Sequence, residues 1–241
     1  MGTFSILIGI GIGVGLLWVM GQSAPRQIDH RLDAGLWALA GALLGGRVAH
    51  VALLWPYYQT HPAEMPQVWL GGLSGAGALI GGALGLLVGT AVLHRPAARL
   101  ADALLPLLIS VSAAAWLACW MDGTAYGQTV QAWWGIPARD EWGEVQRRLP
   151  VQLLGALGTL ALSWLLERLR PHLRCPGQTA ALGLLGVSLI LFGLSSLRAD
   201  PSPLWGSLRP EAWLALGSAG AALIGLLLAT LLPNGKAIPP A

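Results

Sequence analysis

Long apolar runs separated by short polar ones set the pattern of this chain. Seven runs approach membrane-crossing length: Gly2 to Gly21, Ala34 to Trp55, Val68 to Leu93, Ala103 to Met121, Val151 to Leu166, Thr179 to Leu197 and Ala212 to Leu232. A helix of about 20 apolar residues crosses a hydrocarbon core because it satisfies every peptide group within itself. The pattern predicts an all-α polytopic protein, a single integral-membrane domain over residues 1–241 with seven transmembrane helices. The fifth run is the shortest and carries Gln152 near its start, so its ends are the hardest to fix. The first has no basic residue before it and no small-residue cleavage pattern after it, which separates it from a secretory leader.

Composition agrees with a lipid solvent. Of 241 residues, 55% are apolar and 10% charged, where a soluble domain carries about a quarter charged. Lys and Arg favour the cytoplasmic side. With the N-terminus outside, Arg26, Arg31, Arg95, Arg99, Arg168, Arg170, Arg174 and Lys236 fall inside, and Arg139, Arg147, Arg148, Arg198 and Arg209 outside. Eight against five predicts N-out, C-in, and the outer total is raised by one long loop, Asp122 to Pro150, that also carries four acids. The net charge of +3 follows this topology and gives no footprint for nucleic acid. Cys119 and Cys175 fall on opposite sides, which excludes a disulfide between them. Glycines such as Gly9, Gly11, Gly13 and Gly15, or Gly81, Gly82 and Gly85, read as close-packing positions between helices.

An ionisable side chain inside a span is costly, so it faces the bundle interior and marks a candidate site. Arg47, with His50 three residues on along the same helical face, reads as a fork for a lipid phosphate. The competing reading has the guanidinium bonded to neighbouring carbonyls or snorkelling to the interface. His61 lies in an aromatic loop with no visible base partner and reads as structural. Asp102 reads as a helix-start residue. The polar and glycine-rich run from Trp116 to Gly127 suggests backbone leaving its helix at the lipid boundary. In this topology Arg47, His50, Gly71 to Gly77, Trp116 to Gly127, Gln152 and Ser196 share a depth, which predicts one outward-facing pocket.

These residues carry a family resemblance. Gly46-Arg47, His61-Pro62, Trp69 to Ser74, Asp102 with Pro106, Asp122 to Gly127 and Pro150-Val151-Gln152 occur in the order found in prolipoprotein diacylglyceryl transferases. The chain resembles that family from about residue 26 to 232, without a gap between Asp102 and Gly127. The resemblance implies a seven-span, N-out, C-in enzyme of the bacterial plasma (inner) membrane. Its substrates would be phosphatidylglycerol and the signal peptide of a preprolipoprotein. Its diacylglyceryl group would pass to a lipobox cysteine thiol, releasing glycerol phosphate, with no cofactor or metal.

The sequence departs from the family where charged groups are expected. The family His after Gly-Gly-Leu-Ser falls on Ala76, the signature's first Arg on Trp116, the acidic or polar residue before Tyr-Gly on Thr124, and the Tyr and Arg of span six on Phe192 and Ser196. No catalytic residue is assigned on that basis. In one reading the chain is a transferase whose phosphate cradle is rebuilt from Arg47, Arg148 and Arg198. Tyr126 and Gln152 then orient the substrates, while His50, Ser74, Gly123 and Gly127 shape the lipid site. In a second reading it is an inert relative that binds lipid or a partner protein. A small transporter, the third, would favour internal repeats or paired intramembrane carboxylates, and the sequence has neither.

Overall fold

The computed structural model describes residues 2–68, 71–140 and 142–231. The chain runs through α1 (Thr3–Gly21), α2 (Ile28–Leu53), the single turn α3 (Trp55–Tyr58), α4 (Gly75–Val92), α5 (Ala97–Ala103) and α6 (Leu105–Asp122). An antiparallel hairpin of β1 (Ile136–Arg139) and β2 (Val145–Arg148) follows, then α7 (Val151–Leu169), α8 (Gln178–Ser195) and α9 (Pro210–Leu231). Among the described residues, α1, α2, α4, α6, α8 and α9 are long and apolar enough to cross a membrane. The 19 residues of α7 match them in length, but Gln152, Glu167 and Arg168 lower its hydropathy.

Large apolar side chains face outward and small ones inward. Leu17, Leu44, Val48, Leu84, Leu157 and Leu231 are exposed, whereas Ala34, Ser74, Ala118, Thr159, Ser188 and Ala212 are sealed. Lipid rewards no burial of Leu, so close backbone approach and dispersion hold such helices together. A Cβ on Gly45 would stand 2.6 Å from the carbonyl oxygen of Gly77, and one on Gly15 would stand 2.8 Å from Leu107 Cα. Those positions weld α2 to α4 and α1 to α6. Gly9 and Gly13 meet nothing within 4 Å, so only alternate glycines of that run pack as expected. Gly82 is in ordinary contact, 3.4 Å from Ala38 and Ala42.

The helices sort the polar loops to two ends. At one end Arg31 donates to the Gln22 carbonyl (3.3 Å), Arg95 meets His30 Nε2 (2.7 Å), and Asp102 accepts from the Gly177 and Ala180 N–H groups (2.6 and 2.8 Å). Asp102 therefore caps α8, far along the chain, not the start of its own span. The hairpin occupies the opposite end. α7 starts beside it, where Gln152 bonds Thr124, and finishes in a narrow crevice that Glu167 and Arg170 share with Gln22 and Asp102. In between it packs against both neighbours: Gly155 takes the Trp116 indole of α6, and Gly186 of α8 lies against Leu162.

Two helix starts differ from the apolar pattern. α2 begins at Ile28 because its polar first turns are solvated and helical, and hydropathy cannot see them. α4 begins at Gly75, not Val68: Gly71 and Gly72 hold φ of +89° and +77°, and the Ser74 side chain caps the helix by accepting from Gly77 N–H (3.2 Å). Left-handed backbone of that kind suits glycine and stops a helix. Trp69, Leu70 and Leu232 lie outside the described residues. Among the described residues the hairpin is the only two-stranded ladder in an otherwise mostly helical chain, with strands too short to register as an apolar pattern.

Candidate functional site

The hairpin end gathers the residues singled out above, in three groups. The first surrounds Arg47, which is buried near the end of α2. Its Nε donates to the Met65 carbonyl (2.7 Å), Nη1 to Gly71 (2.7 Å) and Gly72 (3.0 Å), and Nη2 to Glu64 (2.5 Å). The guanidinium also lies 5.3 Å from the Tyr58 ring centroid. A side chain with five donors thus clamps the chain between Glu64 and Gly72 onto α2. That is the carbonyl-bonded arrangement, and it leaves Arg47 little to offer a phosphate.

Beside the clamp lies a cleft of about 320 Å³ lined by Arg47, His50, Leu54, Tyr57, Tyr58, Glu64, Gly71 and Gly72. His50 sets its ring edge-on to Tyr58, with centroids 5.9 Å apart, and the ring makes no hydrogen bond among the described residues. Tyr57 donates its hydroxyl to Glu64 Oε2 (2.8 Å) and stacks on His61, 4.6 Å between centroids. The Glu64 carboxylate accepting that proton raises the phenol's pKa above its usual value. His61 Nδ1 lies 2.9 Å from Thr60 Oγ1 within the same loop.

The second group joins the end of α6 to the hairpin. Gly123, at φ +70°, turns the chain out of α6 and lies against the Asp140 carbonyl. Thr124 gives its carbonyl to Gln152 Nε2 (2.9 Å), while Gln152 Oε1 is buried with no partner among the described residues. Arg148 pairs with Asp140 (3.0 Å), both nearly sealed, and covers the Tyr126 ring at 4.5 Å. Its Nη1 lies 3.5 Å from the Gly127 carbonyl, and its Nε has no partner among the described residues.

The third group is an ion cluster between α8 and α9. Arg198 binds Asp200 through Nε (2.8 Å) and Nη2 (2.6 Å) and Glu211 through Nη1 (2.6 Å), and Arg209 pairs with Asp200 at 3.3 Å. Burial by itself would lower the pKa of Arg198. The bond to Asp200 and the charges of Glu211 and Asp200 outweigh it and hold the pKa above its ordinary value. The cluster ties the second group down: Ala199 N–H donates to Tyr126 (2.8 Å), and Gln128 N–H to Leu197 (3.1 Å).

Arg47 and Tyr126-Gly127 therefore share an end of the bundle, but not a cavity. The cleft is lined from α2, α3 and the following loop, without any residue from Trp116 to Gly127, so the expected common pocket is divided. Ser74 is fully buried as a helix cap. Ser196 is exposed and bonds the Gly193 carbonyl (2.9 Å). Ala76 is buried, and the Trp116 indole lies in an apolar cluster with Ala125, Val151 and Ala156. Sequence reasoning missed the acids. Asp140, Asp200 and Glu211 compensate arginines counted only as positive charge, and their signal was present, eight residues before Arg148 and two after Arg198. It also missed Glu64 and Tyr57.

Apolar membrane-length helices, an arginine-clamped loop and paired charges gathered at one end define a polytopic membrane protein with its candidate site at that end. The family model for prolipoprotein diacylglyceryl transferase matches residues 1–228, and the chain belongs to that family. A phosphatidylglycerol–prolipoprotein diacylglyceryl transferase of Thermosynechococcus vestitus is 27% identical over 217 residues, 86% of this chain and 80% of that one. The protein of the same name from Streptococcus mutans is 27% identical over 98% of this chain and 92% of its own length. For that of Rhodococcus jostii, 28% identity covers 65% of this chain and 45% of the relative, less than half its length.

Proposed function

We propose that this chain is a divergent diacylglyceryl transferase that uses phosphatidylglycerol and a prolipoprotein in a bacterial plasma membrane. It would fold with seven spans, α7 included, the N-terminus outside and the C-terminus inside. The observation that carries the reading is the family match across residues 1–228. Support for the span count comes from α7 running from the hairpin end to the Asp102 end between α6 and α8.

In the reaction the cysteine sulfur forms a bond to the glyceryl carbon that carries the phosphate. The carbon–oxygen bond breaks, the oxygen keeps the electron pair, and glycerol phosphate leaves. The thiol proton must pass to a base, and His50 is the group in the cleft suited to take it. Ala76, the family's His position, neighbours Gly77, whose Cβ would overlap Ala49, so His50 stands at the same depth on the adjoining helix. Developing phosphate charge needs fixed donors. Arg47 is the arginine that lines the same cleft as His50, and one of its five N–H groups remains beyond the four held by carbonyls.

A specific observation favours a second reading, a lipid-binding relative without turnover. Trp116 fills its position with an apolar indole, and Arg47, Arg148 and Arg198 each already have protein partners. The two separate in one experiment. The purified protein is reconstituted in phosphatidylglycerol liposomes with a lipobox peptide, beside a conventional family member. Thioether-linked diacylglyceryl peptide together with glycerol phosphate release establishes the transferase. Retained phosphatidylglycerol with no transfer, where the conventional enzyme works, refutes it and establishes the second reading.

A further inference from the structure

The Arg47 cleft has the wrong polarity for a phosphate. Its one guanidinium points four hydrogen bonds at its own walls, toward the carbonyls of Glu64, Met65, Gly71 and Gly72. The Tyr57 hydroxyl proton is committed to Glu64 Oε2. The other polar groups of the lining residues are mostly acceptors: the second oxygen of the Glu64 carboxylate, the Tyr57 oxygen and the unprotonated nitrogen of the His50 imidazole, whose other nitrogen donates. A phosphate brings only acceptors and would gain few hydrogen bonds here. A group rich in O–H or N–H donors would gain several, one of them to a carboxylate, the stronger kind.

The acceptors are held in place before any ligand arrives. His61 stacks on Tyr57 at 10° between ring planes, and Tyr57 fixes Glu64. The Glu64 backbone is fixed separately by Arg47. At about 320 Å³, the cleft sits at the small end of ligand sites, roughly 300 to 1,000 Å³, a size for a head group without its acyl chains. The Arg47 charge persists although four of its five N–H groups are taken, so a phosphate just outside the cleft is still attracted.

We propose that this cleft reads a phospholipid head group by its hydrogen-bond donors, through Glu64 and Tyr57, with the lipid phosphate lying outside it. The donors are the free hydroxyls of a glycerol head or the ammonium of an ethanolamine head. The proposal deepens the lipid-handling reading above and rests on it only in taking a phospholipid as ligand; turnover is not required.

The test is native mass spectrometry of the full chain in phosphatidylcholine nanodiscs doped with phosphatidylglycerol, phosphatidylethanolamine or phosphatidylmethanol. Phosphatidylmethanol keeps the phosphate and charge of phosphatidylglycerol without its hydroxyls. Retention of phosphatidylglycerol or phosphatidylethanolamine about tenfold above both phosphatidylmethanol and phosphatidylcholine is expected, the yield of one charge-assisted hydrogen bond. Which of the two donor lipids is held names the source. Glu64→Gln keeps the backbone carbonyl that Arg47 uses, so the clamp stays intact, and it should erase the preference; Tyr57→Phe should weaken it. Retention of neither phosphatidylglycerol nor phosphatidylethanolamine above phosphatidylmethanol, or an undiminished preference in Glu64→Gln, overturns the proposal. The transfer assay is read separately: selective retention without transfer leaves this inference standing and removes the enzymatic one.

Discussion

Arg47→Met discriminates between a clamp and a phosphate ligand. The substitution keeps an unbranched side chain of similar length and removes the four hydrogen bonds to Glu64, Met65, Gly71 and Gly72. A hydrogen bond from a charged donor contributes about 1.5–3 kcal/mol. The low end applies here because the cleft is open and water can reach some of the freed carbonyls, so four bonds at the low end give about 6 kcal/mol before that replacement. Allowing water to take up roughly half leaves about 3 kcal/mol, and at about 2–4 °C per kcal/mol for a chain of this size the midpoint falls by about 6–12 °C. Arg47→Lys keeps the charge but concentrates three donors on one nitrogen and should recover about half of that. Thermal unfolding in detergent measures the midpoint, and limited proteolysis between His61 and Ser74 reports release of the loop. If Arg47→Met unfolds within 1–2 °C of the parent while losing bound lipid, Arg47 is a ligand group and the clamp argument is wrong.

Other contacts give sharper or smaller effects. Gly45→Val places side-chain atoms against the Gly77 and Gly81 backbone and should abolish stable α2–α4 packing, whereas Gly13→Val meets open space and should unfold like the parent; equal midpoints refute the packing assignment. Asp102→Ala removes the acceptor for Gly177 and Ala180 N–H, at a cost of about 1–2 kcal/mol, and amide hydrogen exchange at the start of α8 should quicken; unchanged exchange would show the cap to be idle. Asp140→Ala strands the buried Arg148 and should destabilise by about 3–5 kcal/mol. The double variant with Arg148→Met should recover much of that loss, and no recovery in a double-mutant cycle would remove the pair as its cause. Glu64→Gln weakens the bond that raises the Tyr57 pKa, so the phenol should ionise at lower pH. Ultraviolet titration of the three tyrosines checks this, and an unmoved curve would deny the bond.

The helical scaffold was legible because membrane crossing is decided locally: each apolar run must satisfy its own peptide groups. Six runs reappear as helices of crossing length, and α7 begins at Val151, where its run begins. The entry to α4 was not legible: the run from Val68 reads as apolar, but the left-handed Gly71 and Gly72, whose carbonyls Arg47 takes, and the Ser74 cap set the helix start at Gly75. Asp102 was recognised as a cap, yet its helix begins at Gln178. Cap and helix are joined by a fold contact that local spacing does not encode.

By itself, the sequence determined the solvent of this protein, the number of apolar runs and, through ordered motifs, the family. Those are properties of composition and of residues near one another along the chain. Tertiary structure decided which charges are available. Arg47, Arg148 and Arg198 look alike as letters, but one is held by carbonyls, one by Asp140 and one by Asp200 and Glu211. Whether a charge can act on a ligand depends on what already neutralises it, and those partners are set by how the helices bring distant segments together.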